Sequence, residues 1–213
     1  MKRIALFTLP AVALALLVAH AYAADHAKIG QPAPTFSLQD QDGKTVNLAD
    51  YKGKIVVLEW FNPGCPFVQR HYSQKFNTMN NLYDKWSAKD VAWLGINTTK
   101  GNNAGSNKQA ADKWNIKHPV LSDADSSVAQ AYGAKTTPHM FIIDKQGVLA
   151  YAGGIDNDRD GDKTGDKVNY VDKALSELTA GQTVSEPETE SYGCGVKYSK
   201  CVEISEIRKY VIT

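Results

Sequence analysis

The 213 residues carry 24 Lys and Arg against 23 Asp and Glu, a formal net charge of +1. A chain this balanced gives no reason to expect nucleic acid or an anionic membrane as a partner. With 43% hydrophobic residues, it can build one domain with a sizeable core.

The chain opens with Met1-Lys2-Arg3, runs mostly apolar from Ile4 to Val18, and reaches Ala21-Tyr22-Ala23. A charged start, an apolar stretch and an A-x-A site read as a secretory signal peptide over 1–23. The apolar stretch is interrupted by Pro10 and is short of the ~20 residues a membrane span needs, so stable membrane insertion is not expected. The expected location is periplasmic or secreted.

Residues 24–34 read as an extended lead-in. Thr35–Leu38 and Thr45–Leu48 alternate in hydropathy around Asp42-Gly43, which predicts a hairpin. Ile55–Phe61 is a nearly continuous β-branched and aromatic run, the pattern of a strand buried on both faces. Tyr72, Phe76, Met79, Tyr83 and Trp86 fall at helical spacing and predict one amphipathic helix whose stripe is core. Val91–Asn97 is a second buried strand, 98–107 a loop, 107–115 a helix and His118–Leu121 a short strand. Ser126–Tyr132 reads as a helix closed by Gly133, and Met140–Ile143 with Val148–Ala152 as a hairpin. Val168, Val171, Leu175 and Leu178 line a last helix that stops near Gly181. Strands alternating with helices predict an α/β domain around a mixed central sheet, over 24–181. From 182 to 213 the periodicity fades, and this is expected to be a tail that docks at most through Tyr192–Tyr198.

Cys65 carries the chemistry. It follows the strand and Asn62-Pro63-Gly64, and Pro66 follows it. Proline is favoured at the first helical position, so Cys65 is expected at the N-cap or first residue of a helix. The partial positive charge and free N–H groups of a helix start favour thiolate over thiol. Arg70 and His71 are candidates for a further positive charge, although residues five and six along a helix need not point back to its start. All three cysteines, Cys65, Cys194 and Cys201, lie beyond the signal segment, and an odd number argues against a purely structural disulfide framework. Three pairings are open.

Several segments together resemble the thioredoxin superfamily, specifically redoxins of the alkyl hydroperoxide reductase/thiol-specific antioxidant (AhpC/TSA) type. They are Gly30-Gln31-Pro32-Ala33-Pro34-Thr35-Phe36-Ser37-Leu38, Asp42-Gly43-Lys44, Tyr51-Lys52-Gly53-Lys54, the Cys65-Pro66 junction, and Gly133 through Asp144. The resemblance spans 28–180. Within it the chain is similar to peroxiredoxin-like redoxins with a Cys-Asn-His-Cys-Pro-Tyr-Val site and a Gly-Cys-x-Ile-Lys-Trp tail. Asn62-Pro63-Gly64-Cys65-Pro66-Phe67-Val68 and Gly193-Cys194-Gly195-Val196-Lys197-Tyr198 stand in those places.

The departures are informative. The second cysteine of that motif is kept as Cys65, and the first is Asn62. A thioredoxin-type dithiol would need cysteine at Val68, and a typical peroxiredoxin would have proline at Leu58 and threonine or serine at Asn62. Cys65 therefore has no local partner, and a cycling disulfide would need Cys194, Cys201, another protein or a small thiol.

The resemblance implies a thioredoxin-like fold and a thiol-dependent oxidoreductase that needs no cofactor. Cys65 would be the reactive thiol and Cys194, in the redoxin-like tail, the resolving one. Glu59, a carboxylate inside the apolar strand six residues before Cys65, would move protons at the thiol, and burial would raise its pKa toward that task. Pro138 would be cis and would present the Thr137 backbone to substrate, with Pro66 starting the active-site helix. His139 has the plainer reading of a strand residue facing solvent. The implied partners are a peroxide or disulfide substrate and an external thiol reductant. A monothiol thiol–disulfide oxidoreductase and a non-catalytic binding module are the rivals. Asp156-Asn157-Asp158-Arg159-Asp160-Gly161 fits the start of a calcium loop, but Lys167 stands where the closing Glu would be, so a solvated acidic loop is expected and no metal is assigned.

Overall fold

The structure, a computed structural model, describes residues 26–198. The expected signal segment, 1–23, and Cys201 lie outside the described residues. The chain forms β1 (Ser37–Gln39), β2 (Thr45–Asn47), β3 (Ile55–Phe61), α1 (Pro66–Tyr72), α2 (Thr78–Ser87), β4 (Val91–Asn97), α3 (Ala104–Trp114) and β5 (Val120–Ser122). It continues through α4 (Ser127–Tyr132), β6 (Thr136–Thr137), β7 (Met140–Ile143), β8 (Leu149–Gly153), α5 (Tyr170–Thr179) and β9 (Cys194–Gly195).

Seven strands form one sheet in the order β2-β1-β5-β4-β3-β7-β8. β3 pairs parallel with β4 and antiparallel with β7, so the sheet is mixed, as the alternation of elements predicted. All seven residues of β3 are buried, because helices cover both faces at the sheet's centre. Ile55, Val57 and Phe61 join one apolar cluster with residues of α1, α2, α3 and α5. Val56, Leu58 and Trp60 join the other, with the N-terminal hairpin and α4. Glu59 lies in the first series by strand alternation, on the face that also buries Cys65.

Three local expectations change. The stripe from Tyr72 to Trp86 is two helices, not one. Ser73 caps α1 by donating its hydroxyl to the Arg70 carbonyl (2.6 Å), and Asn77 takes a left-handed conformation (φ +44°) before α2. A serine bonding back to the chain offers the backbone an alternative to the next helical turn, and apolar spacing does not register that. His139 does not face solvent: it is buried, and its Nδ1 accepts the Lys135 N–H at 3.1 Å. The tail docks earlier than expected. Val184 is buried, the Ala152 N–H donates to the Pro187 carbonyl, and the Thr189 N–H donates back to the Ala152 carbonyl. The polar composition of this segment hid its docking, because much of it is made by backbone groups.

Candidate active site

The approach to Cys65 is set by Asn62. Its Oδ1 accepts the Gly64 N–H (2.8 Å) and its carbonyl accepts the Cys65 N–H (3.0 Å), which turns the chain at the end of β3. Asn62 thus shapes the turn from the position where the similar redoxins carry a first cysteine. Cys65 is the N-cap of α1 with extended backbone, Pro66 opens the helix, and the Gln69 N–H donates to the Cys65 carbonyl at 2.9 Å. Cys65 is only 1% exposed.

Facing it is β6. The Thr137–Pro138 bond is cis, as the resemblance implied. The Cys65 thiol donates to the Thr137 carbonyl at 2.9 Å. β9 pairs antiparallel with β6, in the register Thr136↔Gly195 and Thr137↔Cys194, and brings the Cys194 thiol within hydrogen-bonding reach of Cys65. Both are free thiols. Burial pushes the Cys65 thiol up, but hydrogen bonds donated to its sulfur by the Thr137 side chain, the Cys194 thiol and the Val68 and Cys194 backbones outweigh it, and its pKa lies below the ordinary value. Cys194 moves the other way, to about 11, first because its thiol donates to Cys65, then through burial and repulsion from the Cys65 thiolate. Of the two thiols, Cys65 is thus the more acidic and Cys194 the one that holds its proton more firmly. Arg70 and His71 do not provide the thiolate's support. Arg70 bonds to the Arg159 and Asp158 carbonyls and the Tyr192 hydroxyl, and His71 to Tyr192.

Glu59 is fully buried. Its Oε2 accepts the Tyr72 hydroxyl (2.8 Å) and the Trp93 indole N–H (3.1 Å), and His118 Nε2 lies 4.0 Å away. Oε1 has no hydrogen-bond partner among the described residues. Burial raises the carboxyl to about 7 against the opposing effect of the two donors. Burial also lowers His118 to about 4, so at neutral pH the imidazole is uncharged and the two do not form an ion pair. The sequence marked Glu59 but not His118, Tyr72 and Trp93, which come from three other segments.

A second polar group was not anticipated. The Tyr192 hydroxyl donates to Asp156 Oδ1 (2.5 Å) and lies 3.0 Å from His71 Nε2 and 3.4 Å from the Arg70 guanidinium. This corrects the expectation of a solvated acidic loop. Asp156 and Asp158 are buried, and Asp158 accepts from Lys167 (2.6 Å) and from the Gly161 and Lys163 N–H groups. Lys167, first among these donors, holds Asp158 down at about 2. Among the described residues, no group of three or more His, Cys, Asp or Glu is placed to hold a metal ion. No described helix is long and apolar enough to cross a membrane.

Comparison with known proteins places these features in context. The model of the AhpC/TSA family matches residues 29–152. A chloroplastic peroxiredoxin Q of Triticum aestivum is 32% identical over 133 residues, 57% of this chain and 57% of that protein. A thiol-disulfide oxidoreductase ResA of Bacillus thuringiensis subsp. konkukian is 31% identical over 120 residues, 56% of this chain and 66% of that protein. The chain thus spans less than two thirds of the length of either curated relative. The crystal structure of an uncharacterized conserved protein from Geobacillus kaustophilus superposes with a TM-score of 0.74 at 27% identity, covering 81% of this chain and 93% of that one. The fold is thioredoxin-like, a mixed central sheet flanked by helices.

Proposed function

The chain belongs to the AhpC/TSA family, and on that footing we propose that it is an exported, thiol-dependent oxidoreductase that reduces peroxides at Cys65. The observation that carries this reading is the Cys65–Cys194 pair: the register of β9 on β6 brings the second thiol to the first, and hydrogen bonds from Thr137 and then Cys194 lower the Cys65 pKa. The Cys65 thiolate attacks the peroxide; the O–O bond breaks, Cys65 becomes a sulfenic acid, and the alkoxide or hydroxide takes up a proton. Conversion to a neutral sulfenic acid weakens the hydrogen bond, and removes the repulsion, that hold the proton on Cys194. Cys194 then attacks the Cys65 sulfur, forming the disulfide and releasing water. Two equivalents of an external thiol, or one dithiol, return both cysteines to the reduced state: the first thiol opens the disulfide to a mixed disulfide, and the second releases the remaining cysteine and closes the external disulfide.

In this scheme Thr137 and Pro66 position the reacting thiol, the first through its hydroxyl and carbonyl and the second by starting α1. Pro138 fixes the turn that follows Thr137. Glu59, titrating near 7 on the same face of the sheet, exchanges protons during turnover without touching the substrate. Transfer of electrons to or from a disulfide is the second reading, favoured by the similarity to the oxidoreductase of B. thuringiensis.

The test is peptide mapping after one equivalent of hydrogen peroxide. A Cys65–Cys194 crosslink, absent in Cys65→Ser, is the expected result. A Cys194–Cys201 crosslink with Cys65 left as sulfenic acid would refute the resolving role. A Cys65 thiol no more reactive toward peroxide than Cys201 would refute the peroxidase reading itself.

A further inference from the structure

In the described residues β6 has one partner, β9. It reaches Cys65 through Thr137, whose carbonyl accepts the Cys65 thiol at 2.9 Å. A short strand edge beside a reactive thiol is where an extended polypeptide would dock by strand addition, through main-chain hydrogen bonds. The chain's own C-terminal segment already occupies that edge. The Val196 N–H donates to the Lys135 carbonyl at 3.0 Å, the Thr137 hydroxyl oxygen lies 3.4 Å from the Cys194 carbonyl, and the Tyr198 hydroxyl donates to the Ala134 carbonyl.

The segment is anchored upstream as well. Tyr192 sits in the socket of Asp156, His71 and Arg70, and Thr189 is held by the Tyr151 hydroxyl (2.6 Å) and the Gly154 N–H (3.1 Å). Between anchor and strand lies Gly193. Its φ is +137°, and a Cβ there would fall 2.0 Å from the Thr137 carbonyl oxygen and 2.7 Å from the Thr137 carbonyl carbon. No side chain fits that gap, so the close seating of β9 on β6 requires glycine at this position.

We propose that β9, seated through Gly193, is a substrate filter: it admits small oxidants to Cys65 and excludes extended, disulfide-bearing polypeptides. This rests on the reading of Cys65 as the reacting thiol. A small molecule that needs no main-chain pairing reaches a buried sulfur through local side-chain motion, whereas a polypeptide must first strip β9 from β6 and break the hydrogen bonds that hold it. Gly193 is then a specificity-determining residue that makes no contact with the oxidant.

The test uses two disulfides that react by the same chemistry. Cys65 attacks Ellman's reagent, or an unstructured peptide whose cysteine is disulfide-linked to thionitrobenzoate. In each case a Cys65 mixed disulfide forms, and the thionitrobenzoate anion that leaves is read by its absorbance. Cys194→Ser/Cys201→Ser in the full chain isolates Cys65, and Gly193→Val is added to it. The filter predicts that Gly193→Val raises the peptide-to-reagent rate ratio about tenfold or more, equivalent to about 1.4 kcal/mol in the opening of β9. An unchanged ratio overturns the proposal. If circular dichroism shows that Gly193→Val does not fold, Tyr192→Phe, which removes the anchor without adding bulk, must raise the ratio instead, and its failure to do so is equally decisive. Failure of Cys65 to consume peroxide would sink the peroxidase reading but not this one, since the ratio is measured without peroxide.

Discussion

Replacing Glu59 by Gln tests whether this carboxyl is a neutral acid held in the core. Gln keeps an oxygen to accept from Tyr72 and Trp93 and cannot ionise. Unfolded, the glutamate ionises at its ordinary value of 4.5; folded, burial holds it to about 7. Below pH 4.5 it is protonated in both states and burial carries no ionisation cost. As pH rises through the window, the unfolded chain releases the proton while the folded one retains it, so folded stability is progressively lost and the full loss is reached above about 7. At ~1.4 kcal/mol per pH unit across this window, the wild type should lose about 3 kcal/mol relative to Glu59→Gln. For a chain of this size that is roughly 6–12 °C in melting temperature. Urea unfolding of both proteins, reduced, at half-unit steps from pH 4.5 to 8 reads the difference, and other titrating groups cancel in it. The variant should gain steadily on the wild type. A difference that stays flat with pH would show that Glu59 is ionised in the folded protein at ordinary pH, and would remove the basis for its proton-transfer role.

The same substitution should alter the pH dependence of peroxide turnover near neutrality while leaving the fold intact; an unchanged profile would leave Glu59 a structural acid. In Cys201→Ser, which keeps Cys194, the rate of Cys65 alkylation against pH, followed by peptide mass spectrometry, should show an inflection below that of an ordinary thiol, and one at or above the ordinary value would refute the lowered pKa. In Cys65→Ser the Cys194 thiol should fall from about 11 toward its ordinary value, because Cys65 is the first cause of its elevation; titration by ultraviolet thiolate absorbance measures this. Tyr192→Phe leaves the buried Asp156 without its hydroxyl donor and should cost about 1–3 kcal/mol. It should also speed hydrogen exchange at Val196, and unchanged exchange there would separate the tyrosine from the docking of β9.

Local chemistry determined the central strand, the thiol and the helix start. A continuous apolar run has one stable destination, between two layers, and β3 is buried along its whole length. Pro66 after Cys65 is a backbone constraint that acts over one residue, so it could be read without knowing the fold. Glu59 was conspicuous because a carboxylate inside an apolar run must be neutralised or partnered wherever it lands. What sets the chemistry of these groups comes from far along the chain. Glu59 is served by Tyr72, Trp93 and His118, and Cys65 by Thr137 and Cys194. Tyr192 carries no distinguishing pattern of its own, yet it closes a cluster with Arg70, His71 and Asp156. The break between α1 and α2 escaped because side-chain spacing records which residues face the core, not whether the backbone between them stays helical. Docking of the tail over 192–198 was expected, but its pairing with β6 was hidden for a related reason. Main-chain hydrogen bonds have no residue signature, and the need for glycine at 193 appears only once the Thr137 carbonyl is folded against it.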